Sequence, residues 1–172
     1  MKIRVCLLSV LFVLPLTAAM AAPPQAASQD GSWLIAAHQS NLSEIQSGQL
    51  AAQSGHSESV RNAGQMLASD HESLDAKLKP VAEQLGVKLP DQPNAEQRDE
   101  MQRFKSESGM KFDSDWAKTE GDGHVKAIEM TGREIQHGSS PQVKHLAQSA
   151  LPVLKKHLRT LREASTKLSG SE

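Results

Sequence analysis

The sequence has few cysteines, few aromatic residues and no excess of either charge. Its 172 residues include one cysteine, no tyrosine, three phenylalanines and two tryptophans. A single cysteine cannot form a disulfide within the chain, and so few aromatic residues argue against a β-sandwich or barrel core. The 19 lysine and arginine residues nearly balance the 20 aspartate and glutamate residues, which argues against a nucleic-acid-binding protein that works by bulk positive charge. Histidine, by contrast, is abundant, with seven residues.

Residues 1–21 have the pattern of a secretory signal peptide. Lys2 and Arg4 form a positive start, an uncharged apolar stretch follows, and Ala19-Met20-Ala21 is a small-x-small cleavage site. A retained membrane anchor is the alternative, because the uncharged run is nearly long enough to span a bilayer. Pro15 and the alanine-rich end favour cleavage. The sequence therefore predicts an exported protein in the periplasm or elsewhere in the cell envelope.

Cleavage would change the chain that has to fold. It would remove Cys6, the only cysteine, so the exported protein would be held by its core or by a bound ligand rather than by a disulfide. Residues 22–31 are small and polar and are expected to form a flexible lead-in. Residues 32–169 are predicted to form one helical domain, large enough to bury a core of its own.

Breaker residues divide this domain into four long helices and one short helix. Ser57, Asn94 and Ser140 are typical N-caps, Gly86 is a typical residue just after a helix, and Pro80 is expected to kink or break the second helix. The pattern predicts an all-α fold, an antiparallel four-helix bundle with a short extra helix before the third long helix. The predicted helices cover residues 32–54, 58–85, 95–106, 110–136 and 141–167.

The apolar stripes of the long helices carry polar residues near their middle. Glu44, His71 and His157 lie on three stripes, and Glu120 and His124 project from one side of the third long helix because they are four residues apart. An unpaired imidazole or carboxylate in a core costs several kcal/mol. One interpretation is a metal site that holds Fe, Mn or Zn inside the bundle. The other is a metal-free hydrogen-bond network that fixes helix register, with Glu44 accepting from His71 or His157.

Other motifs in the sequence carry less chemistry. Asp70, beside a stripe histidine, is expected to support the site from outside, and Asp113 is expected on the polar face of the third long helix. Di-iron bundles use two Glu-x-x-His motifs, whereas this chain has one, Glu134 to His137, which is expected at the surface. There is no serine elbow or phosphate loop, so an enzyme of the oxidase or catalase type is the least favoured hypothesis.

Short motifs from Trp33 to Ala164 also carry a family resemblance. They are Ser40–Ile45 with Gly48–Ala51, Met66 with Asp70 and His71, Gly86–Pro90, Phe112 and Asp113 with Trp116, Glu120 and His124, and Leu151–Leu154 with His157. In these motifs the chain resembles a bacterial exported family, domain of unknown function family 4142, whose members are often labelled putative outer membrane protein or putative exported protein.

The resemblance implies a ferritin-like four-helix bundle. It also implies a central polar site shared by Glu44, His71, His124 and His157. Trp116 stands where the family usually has tyrosine, and Glu120 stands where it usually has glutamine. The extra carboxylate makes the site more anionic, which favours a cation.

Two functions follow as hypotheses for an exported bacterial protein. The first is binding of a transition metal through Glu44, His71, Glu120, His124 and His157, linked to envelope stress. The alternative is a metal-free structural or interaction bundle in the periplasm. After cleavage no segment is expected to span a membrane, nucleic acid is not an expected partner, and a second copy of the chain or an envelope component is the macromolecular partner considered.

Overall fold

The computed structural model describes residues 28–170, which form five helices and no strand. The helices are α1 (Gln29–Ser54), α2 (Glu58–Gln84), α3 (Ala95–Lys105), α4 (Gly109–His137) and α5 (Pro141–Ser169). The predicted all-α bundle is confirmed. The predicted signal peptide and residues 22–27 of the predicted lead-in lie outside the described residues. Within residues 28–170, no helix combines the length and apolar character that a membrane span requires.

The helix ends follow the predicted capping residues. The hydroxyl oxygens of Ser57 and Ser140 accept hydrogen bonds from backbone N–H groups three residues later. Asn94 and Gln97 form a reciprocal capping box at the start of α3, which satisfies two backbone donors at once. Gly86 follows α2 with φ of 65°, a left-handed conformation that glycine adopts without strain. Local sequence therefore sets most of the helix boundaries.

The predicted start of α1 was wrong, and the break considered at Pro80 does not occur. α1 begins at Gln29 rather than at residue 32, because the Ser28 hydroxyl caps it by accepting from the Gly31 N–H at 3.0 Å. The last residues of the predicted lead-in are therefore helical. α2 runs unbroken through Pro80. Pro80 is exposed while Leu78 nearby is buried, so the ring faces solvent and packing holds the helix on either side.

The bundle is made of two helical hairpins that face each other. The short loop 55–57 joins α1 to α2, the loop 138–140 joins α4 to α5, and the hairpins meet where α1 contacts α4 and α2 contacts α5. α1 and α2 approach closely at Gly48 and Gly64, where a Cβ on Gly48 would lie 2.7 Å from the Gly64 carbonyl oxygen. The hairpins thus enclose one core, and the finer ferritin-like arrangement implied by the resemblance stays a prediction.

The core consists of two apolar clusters with a polar layer between them. One cluster contains Trp33 and Leu34 of α1 with partners on α2 and α5. The other contains Phe112 and Trp116 of α4 with partners on every other helix. On α2, Leu74 is only half-buried and Asp75 is buried in its place. The predicted stripe of α5 is buried in full: Val143, Ala147, Ala150, Leu154, His157, Leu161, Ala164 and Leu168.

Candidate metal centre

All five predicted site residues meet in the polar layer between the two apolar clusters. His157, His124 and His71 are 0 %, 1 % and 2 % exposed, and Glu44 and Glu120 are each 8 % exposed. One ligand atom from each of the three histidines lies within 4.8 Å of the others, and the same holds for the group Glu44, Glu120 and His124. The helices therefore bring the five side chains to one place. That they bind a metal stays a prediction.

Hydrogen bonds fix which nitrogen of His71 carries the proton. The Asn41 amide donates from Nδ2 to Asp75 Oδ1 at 3.4 Å, so its oxygen Oδ1 is the atom that faces His71 Nδ1 at 2.9 Å. Asp75 is a carboxylate that also pairs with His38 and Lys79, and an ionised carboxylate only accepts. His71 must therefore donate from Nδ1, and its other nitrogen, Nε2, keeps a lone pair that points into the site.

His124 and His157 also have one nitrogen against an oxygen atom, and their other nitrogens face each other. His124 Nδ1 lies 2.9 Å from the backbone oxygen of Glu120, and His157 Nε2 lies 2.9 Å from Asp70 Oδ2. When these nitrogens donate to those oxygens, the inner nitrogens, His124 Nε2 and His157 Nδ1, meet at 3.1 Å. At that distance either one nitrogen donates a proton to the other or a cation lies between the two lone pairs. Two nitrogens on one tetrahedral metal ion with bonds of about 2.0–2.1 Å lie about 3.3 Å apart, so the geometry fits a shared ion.

Burial shifts the pKa of every ligand candidate towards its neutral form. It lowers the pKa of His71 well below the usual range, lowers that of His124, and lowers that of His157 to about 4 although Asp70 opposes the shift. Burial also raises the pKa of Glu44 to about 8, and burial together with the charge of Glu44 raises that of Glu120 well above its usual range. The imidazoles are therefore neutral at pH 7, the form in which histidine binds metals.

Two atoms of the site have no hydrogen-bond partner among the described residues. They are Glu44 Oε2 and His71 Nε2, which are both buried and lie 3.9 Å apart. The other carboxylate oxygen, Glu44 Oε1, lies 3.5 Å from His124 Nδ1. Because native cores satisfy nearly all buried polar atoms, two unpartnered atoms that face each other point to a ligand between them.

Some residues that form hydrogen bonds around the site were not identified from the sequence. His38 is 4 % exposed, and its two nitrogens lie 2.6 Å from Asp75 Oδ1 and 3.0 Å from the Pro90 carbonyl oxygen. Asp75, which orients Asn41, follows His71 by four residues on α2, and that spacing was the available signal. Asp70 does support the site, but it bonds His157 across the bundle.

Two other motif residues differ from their expected places. Asp113 is buried, but it accepts hydrogen bonds from the backbone N–H groups of His56 at 2.8 Å and Ser57 at 2.7 Å. It therefore holds the loop before α2 rather than a ligand. Glu134 was expected at the surface and is 1 % exposed, whereas His137 is exposed. The Glu-x-x-His motif thus does not act as a pair of ligands.

A family model described as Domain of unknown function (DUF4142) matches residues 15–164. The match includes all five site residues and the supporting residues His38, Asn41, Asp70 and Asp75. The comparisons with curated proteins and with solved structures gave no significant match.

Proposed function

The chain belongs to the DUF4142 family, whose description gives no activity, and we propose that it is an exported protein that binds a divalent transition-metal ion in the centre of its bundle. His71, His124 and His157 would supply three nitrogens, and Glu44 would supply a carboxylate oxygen, with Glu120 beside it. One observation carries the proposal. Each buried imidazole places one nitrogen against an oxygen acceptor, and one nitrogen of each ring lies within 4.8 Å of a nitrogen of the other two.

That arrangement matches the way proteins support metal-binding histidines. A ligand histidine almost always donates its second N–H to a carboxylate, a backbone carbonyl or a similar acceptor, which fixes its tautomer and its ring orientation. Here the three acceptors are Asn41 Oδ1, the Glu120 carbonyl oxygen and Asp70 Oδ2. A purely structural network would have used Glu44 Oε2 and His71 Nε2 as bonding partners, yet both lack one among the described residues.

The donor set favours a borderline metal. Neutral imidazole suits zinc and iron, and a carboxylate adds affinity for manganese. Calcium and magnesium prefer sites built from oxygen alone. Zn²⁺, Fe²⁺ and Mn²⁺ are therefore the ions that this site fits, and their relative binding is a matter for measurement.

The predicted signal peptide in residues 1–21 supports a place in the periplasm. Metal binding there would suit a protein that buffers metal ions or protects the envelope under stress. The site would be assembled without any disulfide, since the exported chain has no cysteine after cleavage.

The test is metal analysis of the full chain, expressed with its leader and purified from the periplasm. We expect about one Zn²⁺, Fe²⁺ or Mn²⁺ per chain. Because a ligand that binds only the folded state stabilises it by RT ln(1 + [L]/Kd), free metal at a hundred times Kd adds about 2.7 kcal/mol. A chelator should lower the melting temperature accordingly. His71→Ala should lose the metal, while His145→Ala, an exposed position on α5, should keep it.

The opposite result would favour the metal-free bundle. No stoichiometric metal and a melting temperature that the chelator leaves unchanged would exclude the metal centre. In that case His71→Leu should be tolerated or stabilising, because replacing a buried polar network by apolar packing is often neutral or favourable. Helical circular dichroism of each variant confirms that loss of metal is not loss of fold.

A further inference from the structure

A cavity of about 280 Å³ connects the proposed metal centre with solvent. At its inner end it reaches Glu44, His71 and Glu120, while His124 and His157 lie behind them. Glu44 Oε2 and His71 Nε2, the two buried atoms without a partner among the described residues, thus belong to side chains on the cavity wall. The cavity is the place from which an ion would enter the site.

The two sides of this cavity differ in chemistry. Between α2 and α5 the wall contains Leu74, Leu146 and Leu154, with the charged amine of Lys77. A cation there would lose its water against apolar carbon and would meet a positive charge. Divalent cations instead exchange water for oxygen ligands, so this side is the less favourable route.

The side covered by α3 offers oxygen atoms. Ser40 and Ser43 of α1, Glu100 of α3 and Thr119 of α4 line the cavity there. Arg103, the cation of this wall on α3, is bonded to Asp115 Oδ2 at 2.7 Å and to the Thr119 hydroxyl at 3.0 Å. The charge of Arg103 is therefore compensated. Lys126 of α4 also lines the cavity near Glu100, and it interacts with Asp122 of the same helix.

Glu100 is the half-buried carboxylate of this entrance. α3 holds it over the cavity through its capping box at Asn94 and through the bond from Gln97 Nε2 to the Ser40 hydroxyl at 3.4 Å. Glu100 lines the same cavity as Glu44 of the proposed metal centre. Glu100 and Glu44 thus mark the outer and inner ends of one route.

We propose that Glu100 is an entry site at which a divalent metal ion binds transiently under α3 before it moves along the cavity to Glu44, Glu120 and the three histidines. The proposal rests on the proposed function, because it needs a metal centre at the inner end. Glu100 would affect the rates at which the metal ion binds and leaves, and it would not be a ligand of the ion in the final site. An entry site speeds arrival and departure equally, so it leaves the dissociation constant unchanged.

The test is the rate of Co²⁺ uptake by the metal-free full chain, followed in a stopped-flow instrument through the visible absorbance of bound cobalt. We expect Glu100→Gln to slow uptake about tenfold, within the range in which local charge changes association rates. The rate of release to a chelator should fall by the same factor, and the dissociation constant should stay within about twofold of the wild-type value. Glu96→Gln is the matched control, because it removes the same charge from an exposed position on α3 that does not line the cavity.

Three outcomes would overturn the proposal. Equal uptake rates for Glu100→Gln and Glu96→Gln would mean that the ion enters elsewhere. A dissociation constant weakened as much as the uptake rate would make Glu100 a ligand of the final site. A wild-type chain that binds no Co²⁺ would overturn this proposal together with the metal centre, whereas the first two outcomes leave the metal centre standing. A second variant, Ser43→Phe, narrows the same entrance and should also slow uptake without weakening equilibrium binding.

Discussion

Buried carboxylates at the ends of the bundle differ from those in its centre. Asp30, at the start of α1, accepts from the backbone N–H groups of Ser139 at 2.9 Å and Ser140 at 3.0 Å. Asp113, near the start of α4, holds the loop before α2 through two similar bonds. Each aspartate belongs to one hairpin and binds the loop of the other. In the centre, by contrast, Glu44 has an oxygen without a donor among the described residues.

The difference separates residues that hold the fold from the residues that we propose bind a metal ion. Both oxygens of Asp113 and one oxygen of Asp30 accept from backbone N–H groups of a loop, and hydrogen bonds to a carboxylate are among the stronger ones. In the centre, burial leaves the carboxyls and the imidazoles neutral and leaves two inward atoms unused. We therefore expect changes at the ends to affect stability and changes in the centre to affect metal binding.

The largest stability effect is expected at Asp113. Asp113→Ala would remove the acceptor of two partly buried backbone N–H groups, those of His56 and Ser57, and we expect a loss of about 3 kcal/mol in the free energy of unfolding. Urea unfolding measures the loss, and Asp99→Ala, an exposed position on α3, is the control. Metal content per folded chain should not change. Loss of metal from folded Asp113→Ala would contradict the separation of the two regions.

The second prediction concerns the support of His71. Asn41→Ala removes the acceptor that holds the His71 Nδ1 proton while all five candidate ligands stay in place. Loss of such a supporting partner typically weakens metal binding about 10- to 100-fold. Competition with a calibrated chelator measures the dissociation constant, and Asn62→Ala on the exposed face of α2 is the control. Unchanged affinity would show that the His71 tautomer does not depend on Asn41.

The features of this fold that depend on residues close together along the chain could be predicted from the sequence. Caps such as Ser57 and Ser140 and the full stripe of α5 follow from spacing along one helix. The convergence of His71, His124 and His157 also follows, because each lies at mid-helix on a buried stripe. The tolerance of Pro80 within α2 could not be predicted, since it depends on packing against other helices.

The supporting contacts were beyond prediction for the same physical reason. The bonds from Asp113 to the loop before α2 and from Asp30 to the loop before α5 join residues of different hairpins. The periodicity of a helix does not indicate which loop of the other hairpin its end contacts. The sequence does not distinguish Asp75 from the other polar residues of α2, because its role depends on its contact with Asn41 of α1.

Like Glu107, whose Oε2 has no hydrogen-bond partner among the described residues, Glu134 departs from this comparison. It lies at the end of the bundle, yet its Oε1 has no hydrogen-bond partner among the described residues. Burial raises its pKa to about 7, and the neighbouring carboxyl of Asp30 adds to the rise. Gln29 Nε2 donates to its other oxygen at 3.3 Å. We infer that Glu134 is a structural acid held against the carboxyl of Asp30 and is not a metal ligand.

The smallest effect that we predict is a change in stability with pH, and it follows from the inference about Glu134. Glu134 binds a proton more tightly in the folded chain, with a pKa of about 7 against 4.5 for a free glutamate, so stability should fall as pH rises from 4.5 to 7 and then level off. Glu134→Gln supplies a permanent N–H and should remove this fall, which makes the variant about 2 kcal/mol more stable than the wild type at pH 8. Urea unfolding at pH 5 and pH 8 measures it, with the exposed Glu129→Gln as control. If Glu134→Gln instead released bound metal, an unpartnered buried carboxyl would mark a ligand at the end of the bundle as well as in its centre.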